Sequence, residues 1–235
     1  MNKSLKIRGF TLVELLVVIS IIGLLAGLAV PAINGALKKA KSGACLSNLR
    51  QIGLALITYA SGSEDGRFPV PDDGKALSNE ATWVKKLDID AKTKKNIFVC
   101  PGCEKPVKEG TGEEVAITYG VYSALVDPSQ NFPINSIVRP SDVILVADVC
   151  QETENKGWSP NRIEEPSIFL NGGGDGMAMG EDMDTPLPPG DDADGPKKAS
   201  LRYRHQGRVN VVMVDGHAES IKKGEVLNKH AVLSQ

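Results

Sequence analysis

The chain has 235 residues, 41% of them hydrophobic and 24% charged, with a formal net charge of −2. That composition fits one membrane segment plus one globular domain of ordinary size, and it excludes a disordered polyelectrolyte. The near-neutral balance gives no bulk reason to expect nucleic-acid binding, and an aromatic content of 5% excludes an extensive aromatic ligand surface.

Residues 10–30 read FTLVELLVVISIIGLLAGLAV, and Glu14 is the single charge among them. As a helix this run spans roughly 31 Å, the thickness of a hydrocarbon core. Lys3, Lys6 and Arg8 precede it with no acid between them, a basic flank that stays cytoplasmic and sends the rest of the chain across. A buried core helix is the bland alternative, but it rarely runs so long with one charge. A secretory signal peptide is the other. Against it, the apolar run is too long, no small-residue cleavage site follows directly, and the helical pattern continues beyond. Glu14 lies roughly 6 Å along the helix axis from Phe10. A lone carboxylate there costs about 2–4 kcal/mol at most. Nothing in residues 10–30 supplies a cation, so the expectation is a cationic partner from another molecule.

The stretch KIRGFTLVELLVVISIIGLLAGLAVPA resembles the N-terminus of type IV prepilins and type II secretion pseudopilins, without a break from Arg8 through Pro31. The resemblance implies that a prepilin peptidase cuts after Gly9 and methylates the new N-terminal residue, Phe10. Glu14 corresponds to the family's glutamate at the fifth mature position. Cleavage removes the basic leader and exposes an α-amine on Phe10, the cation that Glu14 lacks, so that one subunit's amine can approach a neighbour's carboxylate. The implied partners are the peptidase, other pilin or pseudopilin subunits in a homo- or hetero-filament, an inner-membrane assembly platform and membrane lipid. The implied location is the bacterial inner membrane, single-pass, with the N-terminus cytoplasmic and the head periplasmic until a filament is assembled.

Beyond Val30, the residues Ile33, Leu37, Ala40, Ala44, Leu49, Ile52, Leu56 and Tyr59 recur mostly at three- or four-residue steps, which predicts an amphipathic continuation of the helix over 31–61. Pro31 removes one backbone hydrogen bond and predicts a kink. Ser61-Gly62-Ser63 and Asp65-Gly66 predict the end of the helix near Ser61. In the remainder, 79–87 reads as a short helix, and 115–125 and 142–149 as strands. Residues 208–214 and 217–221 read as a hairpin whose Asp215-Gly216 favours a type I′ turn. Residues 171–196, NGGGDGMAMGEDMDTPLPPGDDADGP, hold too much Gly, Pro and Asp to bury a core and read as a surface loop.

His205 stands nine residues before Asp215-Gly216, and this spacing resembles the H-x9-DG ending of a large group of bacterial prepilin-like proteins. SNLRQIGLAL, shortly after Cys45, resembles their common helix end. In the structural reading Asp215-Gly216 makes the turn while His205 packs or hydrogen-bonds beside the strand; in the functional reading His205, Asp215 and His217 hold a metal or ligand. The turn already explains the Asp-Gly pair, which favours structure. Some pseudopilin heads bind calcium, and Asp175, Glu181, Asp182, Asp184, Asp191, Asp192 and Asp194 offer oxygen ligands. The EF-hand pattern fails, however, because Gly190 and Leu201 would occupy its first and twelfth positions, so a solvated loop is expected and no cofactor is required.

Four cysteines remain: Cys45, Cys100, Cys103 and Cys150. The pair in Cys100-Pro101-Gly102-Cys103 is compatible with zinc or redox chemistry, but no second close pair accompanies it. Outside the cytoplasm disulfides become possible, three pairings remain open, and a bridge from Cys45 on the helix to the head is the expectation. No nucleophile elbow, H-E-x-x-H or phosphate-binding glycine loop is present.

These readings converge on an α+β, pilin-like fold with a long N-terminal helix on a small antiparallel sheet. The expected divisions are a leader at 1–9, a membrane-spanning half-helix at 10–30, an amphipathic half at 31–61 and an extracytoplasmic head at 62–235. The expected role is that of a structural subunit of a type IV pilus or type II secretion system, not an enzyme. The alternative is a membrane-tethered binding protein whose head captures a metal or glycan.

Overall fold

The computed structural model describes residues 11–70, 82–87, 97–104, 117–126, 132–150, 162–163, 183–184, 186 and 201–231. The chain divides into two compact units, Met1–Ala40 and Lys41–Gln235. One element, helix α1 (Leu12–Gly62), contributes to both. Its backbone stays helical through Pro31 and ends one residue beyond the expected Ser61. There Ser63 N–H donates to the Tyr59 carbonyl at 3.0 Å, and Gly66 adopts φ 69°.

In the first unit the apolar side chains from Leu12 to Val30 are all exposed, by 46–79% for the large ones. The helix is long and apolar enough to cross a membrane. In the second unit α1 buries Cys45, Leu49, Ile52, Gly53, Leu56 and Ala60, a stripe at three- and four-residue steps. Leu49, Ile52 and Leu56 were expected on that face. Ala44 was expected there too but is exposed, and Cys45 takes the inward position.

The stripe packs on a five-stranded sheet in the order β3-β1-β2-β4-β5. The strands are β1 (Tyr119–Tyr122), β2 (Ile144–Asp148), β3 (Arg162–Ile163), β4 (Arg208–Met213) and β5 (Ala218–Lys222). Four of them pair antiparallel, as expected, while the two-residue β3 adds parallel to β1. The expected strand over 115–125 is shorter. It stops at Tyr122, and Ser123–Val126 turns into a single helical turn, α3, that buries Ala124, Leu125 and Val126. The short helix expected over 79–87 is α2 (Thr82–Lys86), whose Trp83 meets Phe98 edge-on with ring centroids 5.9 Å apart.

Both faces of the sheet are covered, which is why β2 and β4 read as nearly continuous apolar runs. Val212 and Val214 join the helix-side core, whereas Val209, Val211 and Met213 join a second core with Ile163, Leu201, Tyr203, Ile221 and Val226. Strand β2 breaks its alternation. Ile144 lies in the outer core and both Leu145 and Val146 in the helix-side core, because the register with β4 shifts between Ile144 and Val146. This is a bulge. It restores Ala147 to the outer face and turns Asp148, opposite Tyr119, toward the helix.

The β4–β5 hairpin forms at the predicted place but with a different turn. Only Gly216 (φ 90°) has positive φ there, and its N–H donates to the Met213 carbonyl at 2.9 Å. A type I′ turn needs positive φ at two central residues, so this is a three-residue loop closed by a left-handed glycine. The two-residue turn with both φ positive lies instead at Gln206 (φ 56°) and Gly207 (φ 76°), bracketed by reciprocal backbone bonds of 3.2 Å between His205 and Arg208. Of the acidic stretch 171–196, only Met183, Asp184 and Pro186 fall among the described residues. Lys229 Nζ reaches Asp184 at 3.3 Å, and Pro186 bridges to Leu227.

Gly53 marks the closest approach of helix and sheet, since a Cβ built there would lie 2.6 Å from Val212 Cγ1. Gly53→Ala gains about 1 kcal/mol of helix propensity but forces an overlap of the kind that costs about 1–3 kcal/mol. A net loss of head stability is therefore expected in reversible denaturation of the detergent-solubilised chain. A second expectation concerns His230, whose Nδ1 accepts from Leu227 N–H at 2.9 Å. Burial first, then the neighbouring Lys229, pull it down to about 4 against the opposing Asp142. The unfolded chain then binds more protons below about pH 6.5, so stability is full above that pH and falls toward pH 4, by about 3 kcal/mol in all. Comparing wild type with His230→Gln across that window should show a flattened slope in the variant.

Candidate functional site

Two places gather the residues singled out in the sequence. The first is the start of α1. Gly9 and Phe10 lie outside the described residues, but Thr11 and Glu14 do not. Glu14 Oε2 accepts from Thr11 N–H at 2.9 Å and from the Thr11 hydroxyl at 2.7 Å, and Glu14 N–H in turn faces Thr11 Oγ1 at 3.3 Å. Thr11 and Glu14 thus form a reciprocal capping box at the helix N-terminus. Glu14 therefore has hydrogen-bond partners inside its own segment, which the sequence reading did not name. Its partners are polar rather than cationic, and the Thr-x-x-Glu spacing ahead of an apolar run was the signal that announces them.

The second place lies within the Lys41–Gln235 unit, where α1 meets the sheet. Cys45, Cys100, Asp148 and His205 are all buried, and one ligand atom from each lies within 4.8 Å of all the others. Each comes from a different element: the helix, the knuckle at 100–103, the end of β2, and the turn before β4. The Cys45 thiol points at Asp148 Oδ2 at 3.8 Å, His205 Nε2 stands 3.2 Å from the same oxygen, and Cys100 Sγ is 3.3 Å from His205 Nε2.

Surrounding groups hold these donors in place. Arg204 Nε donates to Asp148 Oδ1 at 2.7 Å and its Nη2 to the Val149 carbonyl at 2.6 Å, with both charged side chains nearly inaccessible to water. Thr118 Oγ1 accepts from Cys100 N–H at 2.6 Å, which ties the knuckle to the strand edge. Gly102 N–H donates to Cys100 Sγ at 3.3 Å, and a Cβ on Gly102 would come within 3.0 Å of His205 Cε1, so the position has no room for a side chain. The buried Tyr119 hydroxyl has no hydrogen-bond partner among the described residues. The adjacent Cys45 and then burial push the Cys100 thiol far above the usual thiol range. Burial opposes a charge on His205, but the bonds to Asp148 and Cys100 more than offset it and raise its pKa to about 9.

His205 therefore joins the cysteines rather than the Asp215 and His217 with which the sequence grouped it. Those two pair with each other on the exposed hairpin loop, His217 Nδ1 lying 2.6 Å from Asp215 Oδ1. Of the four cysteines, Cys45 and Cys100 lie in the cluster with Asp148 and His205, and Cys103 and Cys150 are not among its members. Asp148, Arg204 and Tyr119 went unnoticed in the sequence. The one available signal was an acid closing the apolar run VILVAD, which only a buried partner tolerates.

The fold and the capped apolar helix define a prepilin-like protein. The prokaryotic N-terminal methylation motif matches residues 5–30. The chain is 31% identical over 115 residues to type II secretion system core protein G of Escherichia coli (strain K12), covering 43% of this chain and 78% of that protein. It is 40% identical over 76 residues to the protein of the same name from Pectobacterium carotovorum subsp. carotovorum, covering 32% of this chain and 47% of that protein. The chain belongs to the pseudopilin family of type II secretion core protein G, as a distant member. No solved structure matches it.

Removing Arg204 while keeping its bulk, as in Arg204→Leu, leaves the Asp148 carboxylate buried with Oδ1 unpaired. Loss of one partner from a buried ion pair typically costs about 3–5 kcal/mol. Chemical denaturation of the purified chain should show a loss of that size.

Proposed function

We propose that the protein is a structural subunit of a type II secretion pseudopilus or type IV pilus, cut after Gly9, N-methylated on Phe10 and assembled through its apolar helix. The observation that carries this reading is the methylation motif over 5–30 on a helix whose apolar side chains, Leu12 to Val30, have no cover within their own unit. Such a surface requires lipid before assembly and neighbouring helices after it. The basic Lys3, Lys6 and Arg8 hold the leader in the cytoplasm and place the head on the far side of the inner membrane. The prepilin peptidase acts on the chain, and the chain itself works by packing rather than catalysis.

The capping box sharpens the role of Glu14. Both Thr11 donors go to Oε2, so Oε1 remains positioned to accept from a third group. A neighbour's Phe10 amine fits that place: the cap fixes the carboxylate at the start of the helix, and the incoming cation neutralises it. The same carboxylate serves the monomer and the contact. Pairing with an amine inside an apolar stack also fixes axial register, since any slip leaves a buried charge alone.

N-terminal sequencing of the mature protein should begin at Phe10, and another start would remove the basis of the reading. Glu14→Ala and Glu14→Val should be processed normally yet fail to enter filaments. Glu14→Gln keeps an acceptor at the cap but lacks the charge, and it too should assemble poorly. Wild-type filament yield from all three would show that the charge is dispensable. Dispersed, filament-free wild-type protein in a pull-down would favour the tethered binding protein instead.

A further inference from the structure

We propose that Cys45, Cys100, Asp148 and His205 form a structural zinc site that clamps helix α1 to the sheet of the head. The donor set is two thiolates, one imidazole and one carboxylate oxygen, a combination suited to tetrahedral zinc. Bonds of about 2.3 Å to sulfur and about 2.0–2.2 Å to nitrogen or oxygen, at tetrahedral angles, set ligand atoms about 3.3–3.8 Å apart. The separations found are 3.3 Å from Cys100 to His205, 3.2 Å from His205 to Asp148 and 3.8 Å from Cys45 to Asp148, with all pairs inside 4.8 Å. Four elements distant in sequence converge to that spacing without any one of them supplying two ligands.

The surroundings are those of a metal's outer shell. Gly102 N–H points at the Cys100 sulfur, as the backbone of a knuckle does toward a thiolate, and Arg204 fixes the carboxylate through the oxygen not aimed at the cluster. Charge also balances. A dication with two thiolates and a carboxylate sums to −1, and the buried Arg204 guanidinium brings the whole to zero. On binding, the two thiol protons and any imidazole proton leave to solvent. A Cys45–Cys100 disulfide is the rival use of the same sulfurs, but it does not engage Asp148 Oδ2 and His205 Nε2, which stand beside them. The site is enclosed and offers four protein ligands, so it holds the spine to the head rather than activating water.

The test uses the full chain, purified in detergent without chelator or added metal, and elemental analysis by mass spectrometry. About one zinc per chain is expected. Cys45→Ser and Cys100→Ser should each lose most of it, while Cys103→Ser and Cys150→Ser, outside the cluster, should keep it. Should the first pair fail to fold, wild-type chain stripped by chelator and reloaded with cobalt(II) still decides. Thiolate-to-cobalt charge-transfer bands with intense visible absorption are the expected signature. Overturning results are a cobalt spectrum without thiolate bands, or metal-free chain in which non-reducing peptide mapping finds Cys45 joined to Cys100.

Discussion

The distance between α1 and the sheet is set where Gly53 meets Val212, and the interior of the head depends on it. A side chain at Gly53 would force the helix or Val212 to shift, since a Cβ there would sit 2.6 Å from Val212 Cγ1. Polar contacts nearer the start of the buried stripe span the same interface. Asn210 Nδ2 reaches the Ser42 carbonyl at 3.1 Å across the same interface, and Cys45 meets Asp148 a turn further along. Apolar packing brings the two surfaces together, while the hydrogen-bonded groups embedded in it determine which rotation and rise of the helix are accepted. An interface made only of Leu, Ile and Val would leave several registers near in energy.

The polar island at that interface concentrates risk. Asp148, Arg204 and His205 bury charge where unpaired charge is expensive, and each is held by at least one of the others. Beneath it, Thr118 accepts from Cys100 N–H through its hydroxyl at 2.6 Å and from Val149 N–H through its carbonyl at 3.0 Å, so one residue ties the knuckle and the end of β2 together. The helix half in the first unit follows the opposite logic. Between Leu12 and Val30 it carries one charge, hydrogen-bonded to Thr11 at the start of the helix, and its apolar side chains are exposed.

Much of this was legible in residue order alone. The 51-residue helix announced itself by an apolar run followed by three- and four-residue spacing, and its end by Ser, Gly and Asp. Strands β2, β4 and β5 were visible as β-branched runs around an Asp-Gly pair. Other features were not legible because they depend on contacts remote in sequence. That Cys45 rather than Ala44 points inward follows from where the sheet lies against the helix. Likewise, the grouping of His205 with Asp215 and His217 trusted sequence proximity, whereas the tight turn at Gln206-Gly207 points His205 back to the knuckle. The turn type was misjudged because Asp-Gly suits both a two-residue and a three-residue hairpin loop.

The bulge in β2 carries a consequence of parity. A strand is a two-stroke pattern, and from Ile144 an unbroken count would deliver Asp148 to the same side as Ile144, the outer core. One additional residue at Leu145–Val146 flips the phase, so the carboxylate arrives facing the cysteines and the histidine. The cluster therefore depends on a residue that contributes no ligand to it. A single deletion between Ile144 and Asp148 could leave the apolar composition of the strand almost untouched while delivering the aspartate to the wrong side of the sheet.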